Sequence, residues 1–221
     1  MRPSLSLLLV ACMLLPAALS GCATDKPTRL YRLSALEQKP LTTSARGVAI
    51  GVGPITLPKY LDRPQMVTGV SGNQLAQANF DQWGGELNDN ITRVLASNLS
   101  TLLDTDRVSL YPWKDQAPVD YQVTMDVTQF EQDADGKTVL SAFWSIVNPK
   151  DGSVMMMRRS TYRDPGAPLP SPAAAETGSA AASGNGPPAV DPYDAVAAAM
   201  SRDLAALSRD IAGAIAELKS S

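Results

Sequence analysis

Few side chains in this sequence are of the types that carry out catalysis. The 221 residues include no histidine and only two cysteines, Cys12 and Cys22. Ser-His-Asp and Cys-His catalysis are therefore excluded, and zinc lacks its usual set of ligands. Paired carboxylates, a Ser-Lys pair and oxygen-bound divalent ions remain as catalytic options, but no spacing in the chain favours one of them. The sequence therefore predicts a protein that is not an enzyme, and Cys22 becomes the residue of chemical interest.

Two short motifs are superficially similar to ligand sites. Gly51-Val52-Gly53 lacks the third glycine that a dinucleotide fingerprint needs, since Thr56 stands at that position. The segment from Asp133 to Gly136 is similar to the start of a calcium loop, but no glutamate follows where the last ligand belongs. We therefore predict a strand end for the first motif, a hairpin turn for the second, and no metal or cofactor at either.

The stretch Leu19-Ser20-Gly21-Cys22 ends an apolar run that begins at Leu5. At about 15 residues this run is shorter than the roughly 20 that a membrane-spanning helix needs, and it is typical of a secretory signal. The four residues resemble a bacterial lipobox, which implies that residues 1–21 are removed and that Cys22 is acylated on its thiol and amine. The alternative is a plain signal peptide that leaves Cys22 an ordinary thiol. Covalent acyl chains on Cys22 are the only non-protein group we expect.

Removal of residues 1–21 leaves 18 basic and 22 acidic side chains and no second cysteine. Such a chain has no basic surface typical of nucleic-acid binding, so we expect no nucleic-acid partner. Its length favours one domain. The polar residues 22–28 are predicted to form a tether that keeps this domain within about 20 Å of the lipid.

The periodicity of apolar residues predicts the secondary structure. It predicts strands at 30–33, 46–52, 106–111, 121–128, 139–147 and 154–162, a hairpin of 66–70 with 74–78, and helices starting at Asp81 and at Asp191-Pro192. Strand 46–52 is expected to end at Gly53-Pro54. The last three strands form an antiparallel meander, since turn residues separate them. The predicted fold class is α/β: a single domain with a mixed, largely antiparallel sheet and two main amphipathic helices packed on it.

The domain is predicted to comprise residues 29–164 and 191–219, separated by an insertion at 165–190. Of the 26 residues in this insertion, 21 are Ala, Pro, Gly or Ser. This composition buries too little apolar surface to offset the entropy of ordering, so we predict a disordered loop. Within the meander, Met155-Met156-Met157 favours strand packing at a face or edge, and contact with acyl chains is the alternative.

A stiff loop is predicted between the second strand and the hairpin. Pro58 and Pro64 fix their own φ angles and exclude Leu57 and Arg63 from helical conformations. Two interpretations remain open. The loop is either a rigid connector that packs Leu57, Tyr60 and Leu61 on the core, or a preset docking surface for a partner.

Distinctive short motifs occur along nearly the whole mature chain. They include Tyr31-Arg32-Leu33, Gly51-Val52-Gly53-Pro54-Ile55, Leu57-Pro58, Tyr60-Leu61-Asp62-Arg63-Pro64-Gln65-Met66-Val67, Phe80-Asp81, Trp83, Glu86-Leu87, Arg93-Val94-Leu95, Asn98-Leu99, Tyr111-Pro112-Trp113 and Asp120-Tyr121. Together these motifs resemble the ABC-type transport auxiliary lipoprotein family. The stretch from Leu57 to Pro64 is the most specific of them. The insertion at 165–190 departs from the family pattern.

This resemblance implies a lipoprotein that works with an MCE-domain periplasmic protein (PqiB-like) and an inner-membrane partner. Such a system would carry phospholipid or other hydrophobic molecules between membranes and maintain envelope integrity. By this resemblance, Ala23 rather than aspartate after the lipidated cysteine favours the outer membrane, and the family pattern favours a homo-oligomeric ring. We place the partner-binding residues on the matched motif. They are Leu57, Pro58, Tyr60, Leu61, Asp62, Arg63, Pro64 and Trp83. The alternatives are a structural or assembly lipoprotein with no transport role and an envelope hydrolase that uses two carboxylates.

Overall fold

The structure, a computed structural model, describes residues 27–41, 45–113, 118–166 and 191–220. Eight strands and two helices are present in these residues. They are β1 (Arg29–Tyr31), β2 (Ile50–Thr56), β3 (Gln65–Ser71), β4 (Gln74–Trp83), α1 (Leu87–Leu102), β5 (Val108–Leu110), β6 (Tyr121–Gln132), β7 (Thr138–Val147), β8 (Val154–Asp164) and α2 (Pro192–Ser220). The predicted signal segment, Cys22 and most of the insertion lie outside the described residues.

One mixed sheet is organised around β6, the longest strand. On one edge β6 pairs antiparallel with β7, which pairs antiparallel with β8. On the other edge β6 pairs in parallel with β2 over its first half and with β3 at Gln132. The branch from β2 continues to β5, and the branch from β3 continues through β4 to β1. The longest ladders are antiparallel, which confirms the predicted fold class.

The meander of β6, β7 and β8 confirms the prediction from alternating sequence. Leu140, Ala142, Trp144 and Ile146 occupy alternate positions on β7 and are all buried. Successive side chains of a strand point to opposite faces, so this set defines the face of the sheet that the helices cover. The methionines lie on β8, which has no second strand neighbour among the described elements. Met156 packs partly buried against the core, whereas Met155 and Met157 are exposed, so the packing interpretation holds for Met156 and not for its two neighbours.

Two helices pack on this face and contact each other. Leu95 and Leu99 of α1 and Leu204 and Ile211 of α2 are fully buried in the core. Asp191 begins α2 as predicted, because its carboxylate accepts a hydrogen bond from the Tyr193 backbone N–H at 3.0 Å. Pro192 then occupies the first helical position, where a missing N–H costs little.

The prediction that the second strand ends at Gly53-Pro54 is wrong. β2 begins at Ile50 and continues to Thr56, with an irregularity in its register between Val52 and Ile55. Gly51 and Gly53 of this strand lie against an aromatic pair, Tyr111 and Trp113, whose ring centroids are 5.7 Å apart. A Cβ at Gly51 would lie 2.7 Å from the Trp113 ring, and one at Gly53, where φ is +112°, would lie 2.7 Å from the Tyr111 Cβ. These glycines therefore serve packing.

The prediction that the first long helix begins at Asp81 is wrong. The helix begins at Leu87. Residues 81–83 belong to β4, where they pair in parallel with β1. Asp81 is buried, accepts a hydrogen bond from the Tyr31 hydroxyl at 2.8 Å and forms an ion pair with Arg29 at 2.7 Å. These partners lie about fifty residues earlier in the chain, so the local periodicity contains no sign of them.

A buried acidic residue on α2 makes stability depend on pH. Asp203 accepts a hydrogen bond from the Thr138 hydroxyl of β7 at 2.7 Å, and its burial raises its pKa to about 7. The folded state thus favours the neutral form of Asp203. The stability that this preference contributes is complete below the ordinary aspartate pKa of about 4, and it is lost as the pH rises through the pKa of Asp203 in the folded state. We expect the free energy of unfolding to fall by at least about 1 kcal/mol between about pH 4 and pH 7 because of this group.

Urea denaturation of the wild type and of Asp203→Asn at several pH values measures this effect. The amide variant should lose this part of the pH dependence, since it cannot ionise. The chain has no histidine, so few other groups titrate in the upper half of this range. Parallel pH profiles for the two proteins would contradict the assignment.

Candidate partner-docking site

All the predicted docking residues except Trp83, which ends β4, lie in a loop, here called the signature loop, that spans Leu57 to Pro64 between β2 and β3. Thr56 at the end of β2 pairs with Asp126 of β6, whereas Thr68 of β3 pairs with Gln132. The loop therefore lies between the point where β2 stops pairing with β6 and the point where β3 pairs with it. This position leaves the loop free of ladder hydrogen bonds and keeps both its ends fixed.

Short-range hydrogen bonds give the signature loop a defined turn. The Leu61 N–H donates to the Pro58 carbonyl at 2.9 Å, and the Arg63 N–H donates to the Leu61 carbonyl at 2.9 Å. The end of the loop is fixed to β4, because the Trp83 N–H donates to the Pro64 carbonyl at 2.7 Å. The two prolines restrict the unfolded chain as well as the folded one, so the turn forms at low entropic cost.

Tyr60 attaches the signature loop to the sheet. Its hydroxyl donates to the Glu131 carboxylate of β6 at 2.9 Å, and that buried carboxylate also accepts from the Gln129 side chain and the Phe130 N–H. Burial, followed by the adjacent carboxylate, raises the pKa of Tyr60 above its usual range. The protonated hydroxyl thus donates the hydrogen bond that ties the loop to β6.

The structure brings the eight predicted residues together but gives them different exposures. Leu61 and Trp83 are buried, Leu57, Pro58, Tyr60 and Arg63 are half-buried, and Asp62 and Pro64 are exposed. Leu57, Tyr60 and Leu61 pack on the core, as the connector interpretation predicts. A rigid connector can also present a surface, and the side chains available to a partner are those of Asp62, Pro64 and the neighbouring exposed Lys59. Partner binding itself stays a prediction.

A polar cluster that sequence analysis did not identify joins the start of the sheet to α2. Arg29 forms ion pairs with Asp81 of β4 and with Asp191 at the helix start. Burial, followed by the hydrogen bond to Asp81, raises the pKa of Tyr31 above its usual range. The Tyr31 ring lies 6.2 Å from that of Tyr193. The cluster fixes β1, where the predicted tether enters the domain, and no sequence pattern connects its members.

The side chains most suited to an acyl-chain pocket do not converge. Trp144 is buried against the helices and donates from Nε1 to the Ser160 hydroxyl at 3.1 Å. Met157 lies opposite Ser145, on the other face of the sheet, and is 64% exposed. Among the described residues, no group of three acidic or sulfur-bearing side chains is arranged to bind a metal ion. Neither described helix combines the length and apolarity that crossing a bilayer demands.

The chain belongs to the family described as the ABC-type transport auxiliary lipoprotein component, whose model matches residues 31–183. The chain is similar to the intermembrane transport lipoprotein PqiC of Escherichia coli (strain K12), with 27% identity over 128 residues. That alignment covers 57% of this chain and 67% of the relative. PqiC of Shigella flexneri matches equally well. The family resemblance that the motifs predicted is thereby confirmed.

Solved structures share the fold at low sequence identity. Protein XCC0632 from Xanthomonas campestris is 14% identical with a TM-score of 0.67, and the match covers 87% of this chain and 97% of that one. The crystal structure of an uncharacterized protein is 19% identical with a TM-score of 0.60, covering 86% and 99% of the two chains. The shared architecture includes most of each neighbour's length.

Proposed function

We propose that the protein is a lipid-anchored outer-membrane subunit of an intermembrane lipid transport system. In this proposal Cys22 carries the acyl chains, and the signature loop docks a periplasm-spanning MCE-domain protein of the PqiB-like kind. The docked assembly supports envelope integrity by keeping the transport route attached to the membrane. The observation that carries the proposal is membership of the auxiliary lipoprotein family over residues 31–183, which include the whole signature loop.

The rigidity of the signature loop supports its assignment as the docking surface. Two prolines, the Tyr60–Glu131 hydrogen bond and the Trp83–Pro64 hydrogen bond preset the loop before any partner arrives. A preset surface loses little conformational entropy on binding, so exposed side chains contribute more of their interaction energy to affinity. Asp62 and Pro64 are exposed in this loop, and Asp62 provides a charge that can select a basic partner surface.

Recovery of the partner from native envelopes tests the docking role. We expect acylated wild-type protein to co-purify an MCE-domain protein, and Asp62→Arg to reduce that recovery roughly tenfold by charge repulsion at the contact. Asp135→Arg is the matched control, because Asp135 is also an exposed aspartate in a tight turn, between β6 and β7. The control should recover as much partner as the wild type.

Two results would count against the proposal. If the wild-type protein recovers no MCE-domain protein, the assignment to such a transport system fails. If Asp62→Arg and Asp135→Arg behave alike, the system can stand but the signature loop is not its docking surface. Circular dichroism of both variants verifies that the substitutions leave the fold intact.

A further inference from the structure

The hairpin of β3 and β4 is unusual in its composition. Its residues from Gln65 to Phe80 contain no charged side chain, although 19% of the whole chain is charged. The first charge is Asp81, which is buried and paired with Arg29. Long exposed strands are usually protected from unwanted contacts by lysine or other charges. The hairpin lacks this protection.

The same hairpin has an open edge and exposed apolar side chains. β1 pairs with β4 only at residues 81–83, so no described strand pairs with the outer edge of β4 between residues 74 and 80. Val70, Leu75 and Phe80 are 40%, 46% and 39% exposed. Leu30 of the adjoining β1 is 66% exposed. An uncharged segment with this exposure is suited to an environment other than bulk water.

The position of the predicted anchor identifies that environment. β1 runs parallel to β4, with Arg29 opposite Asp81, so the chain enters β1 from the side on which the hairpin projects. Arg29 lies seven positions after Cys22, and Asp81 lies seven positions after Gln74 at the hairpin tip. Either stretch spans at most about 25 Å. Acyl chains on Cys22 therefore hold a bilayer within reach of the hairpin tip.

We propose that the β3–β4 hairpin contacts the bilayer beside the anchor, with Val70, Leu75 and Phe80 at the boundary between headgroups and acyl chains. The inference rests on the proposed lipid anchor at Cys22. Apolar side chains gain from leaving water, and a segment without charges has little hydration to lose at the interface. Two points of attachment, the anchor and the hairpin, fix the orientation of the domain and thus the direction in which the signature loop faces.

Fluorescent labels on the acylated full-length mature protein test this contact. Once Cys22 is acylated and Cys12 is removed with the signal, an introduced cysteine is the only free thiol. We label Leu75→Cys and, as a matched control, Phe143→Cys with an environment-sensitive fluorophore. Phe143 is 43% exposed on β7, beneath the Arg159 guanidinium at 5.4 Å. Each protein is reconstituted into phosphatidylethanolamine–phosphatidylglycerol vesicles with or without spin-labelled lipids.

We expect the label at position 75 to shift its emission to the blue and to be quenched by the spin-labelled lipids, and the label at position 143 to show neither effect. Adding Leu75→Asp to a protein labelled at Val70→Cys should abolish quenching while the anchor keeps the protein on the vesicles. Circular dichroism verifies that this variant remains folded.

The other outcomes separate failure of the contact from failure of the anchor. If vesicle-bound protein shows no quenching at position 75, or equal quenching at both positions, the hairpin contact is refuted and the anchor stands. A blue shift without lipid quenching means that a protein surface, such as a second copy, covers the hairpin, which also refutes the contact. If the protein does not sediment with the vesicles, the proposed anchor is refuted together with this inference.

Discussion

Replacing Cys22 by serine should remove the protein almost completely from the membrane fraction. Each buried CH₂ of an acyl chain contributes about 0.8 kcal/mol, and two or more chains together anchor a protein stably to a bilayer. A serine hydroxyl cannot take the thioether that the lipobox resemblance implies. The partition of the protein between pelleted envelopes and the soluble periplasmic extract measures the effect.

Cys12→Ser is the control for this prediction, because Cys12 lies inside the apolar run rather than at its end. This variant should remain in the membrane fraction. Mass spectrometry of the wild-type N-terminus should find an acylated cysteine, and a density gradient should place the protein with the outer membrane. An unmodified thiol, or retention of Cys22→Ser in the membrane, would end the anchoring hypothesis and the tether argument built on it.

Replacing Trp144 by alanine should lower the free energy of unfolding by about 4 kcal/mol. Trp144 is 1% exposed at the centre of β7, where it packs beneath the helices and donates a hydrogen bond to Ser160 of β8. The Arg158 guanidinium lies 5.9 Å from its ring. Alanine would leave a large cavity in the core and remove the hydrogen bond to Ser160. Urea denaturation followed by far-ultraviolet circular dichroism measures the loss.

The neighbouring residue provides the matched control. Phe143 lies on the opposite face of β7 and is 43% exposed, so Phe143→Ala removes a comparable side chain with little buried surface. We expect it to cost less than about 1 kcal/mol. Equal destabilisation by both substitutions would contradict this prediction. It would mean that the face of the meander on which Phe143 lies is covered in the folded protein, for example by a second copy of the chain.

Segments whose sequence pattern matches one local structure were predictable. The alternation in β6 and the apolar run of β7 fix a meander, because a strand buried on one face must alternate and a hairpin register is set by its turn. The start of α2 was predictable for a similar reason, since Asp191 and Pro192 satisfy the first helical turn by themselves. The hairpin predicted at 66–70 and 74–78 likewise corresponds to β3 and β4.

The candidate site was predictable as a segment but not as a surface. Pro58 and Pro64 show from the sequence that the signature loop is stiff. Which side chains it presents depends on Glu131, a buried carboxylate on another strand that accepts the Tyr60 hydroxyl. Leu61 and Trp83, predicted as binding residues, are buried in the structure, whereas Asp62 is exposed.

By itself, then, the sequence determined the antiparallel meander, the second helix, the stiffness of the signature loop and the family resemblance, because each depends on residues that are close along the chain. Only the tertiary structure decided that β2 continues through Gly53-Pro54 and that residues 81–83 form strand instead of helix. Both outcomes depend on parallel pairings between distant segments. Such pairings require crossover connections, and their partners leave no mark on the local period of apolar residues.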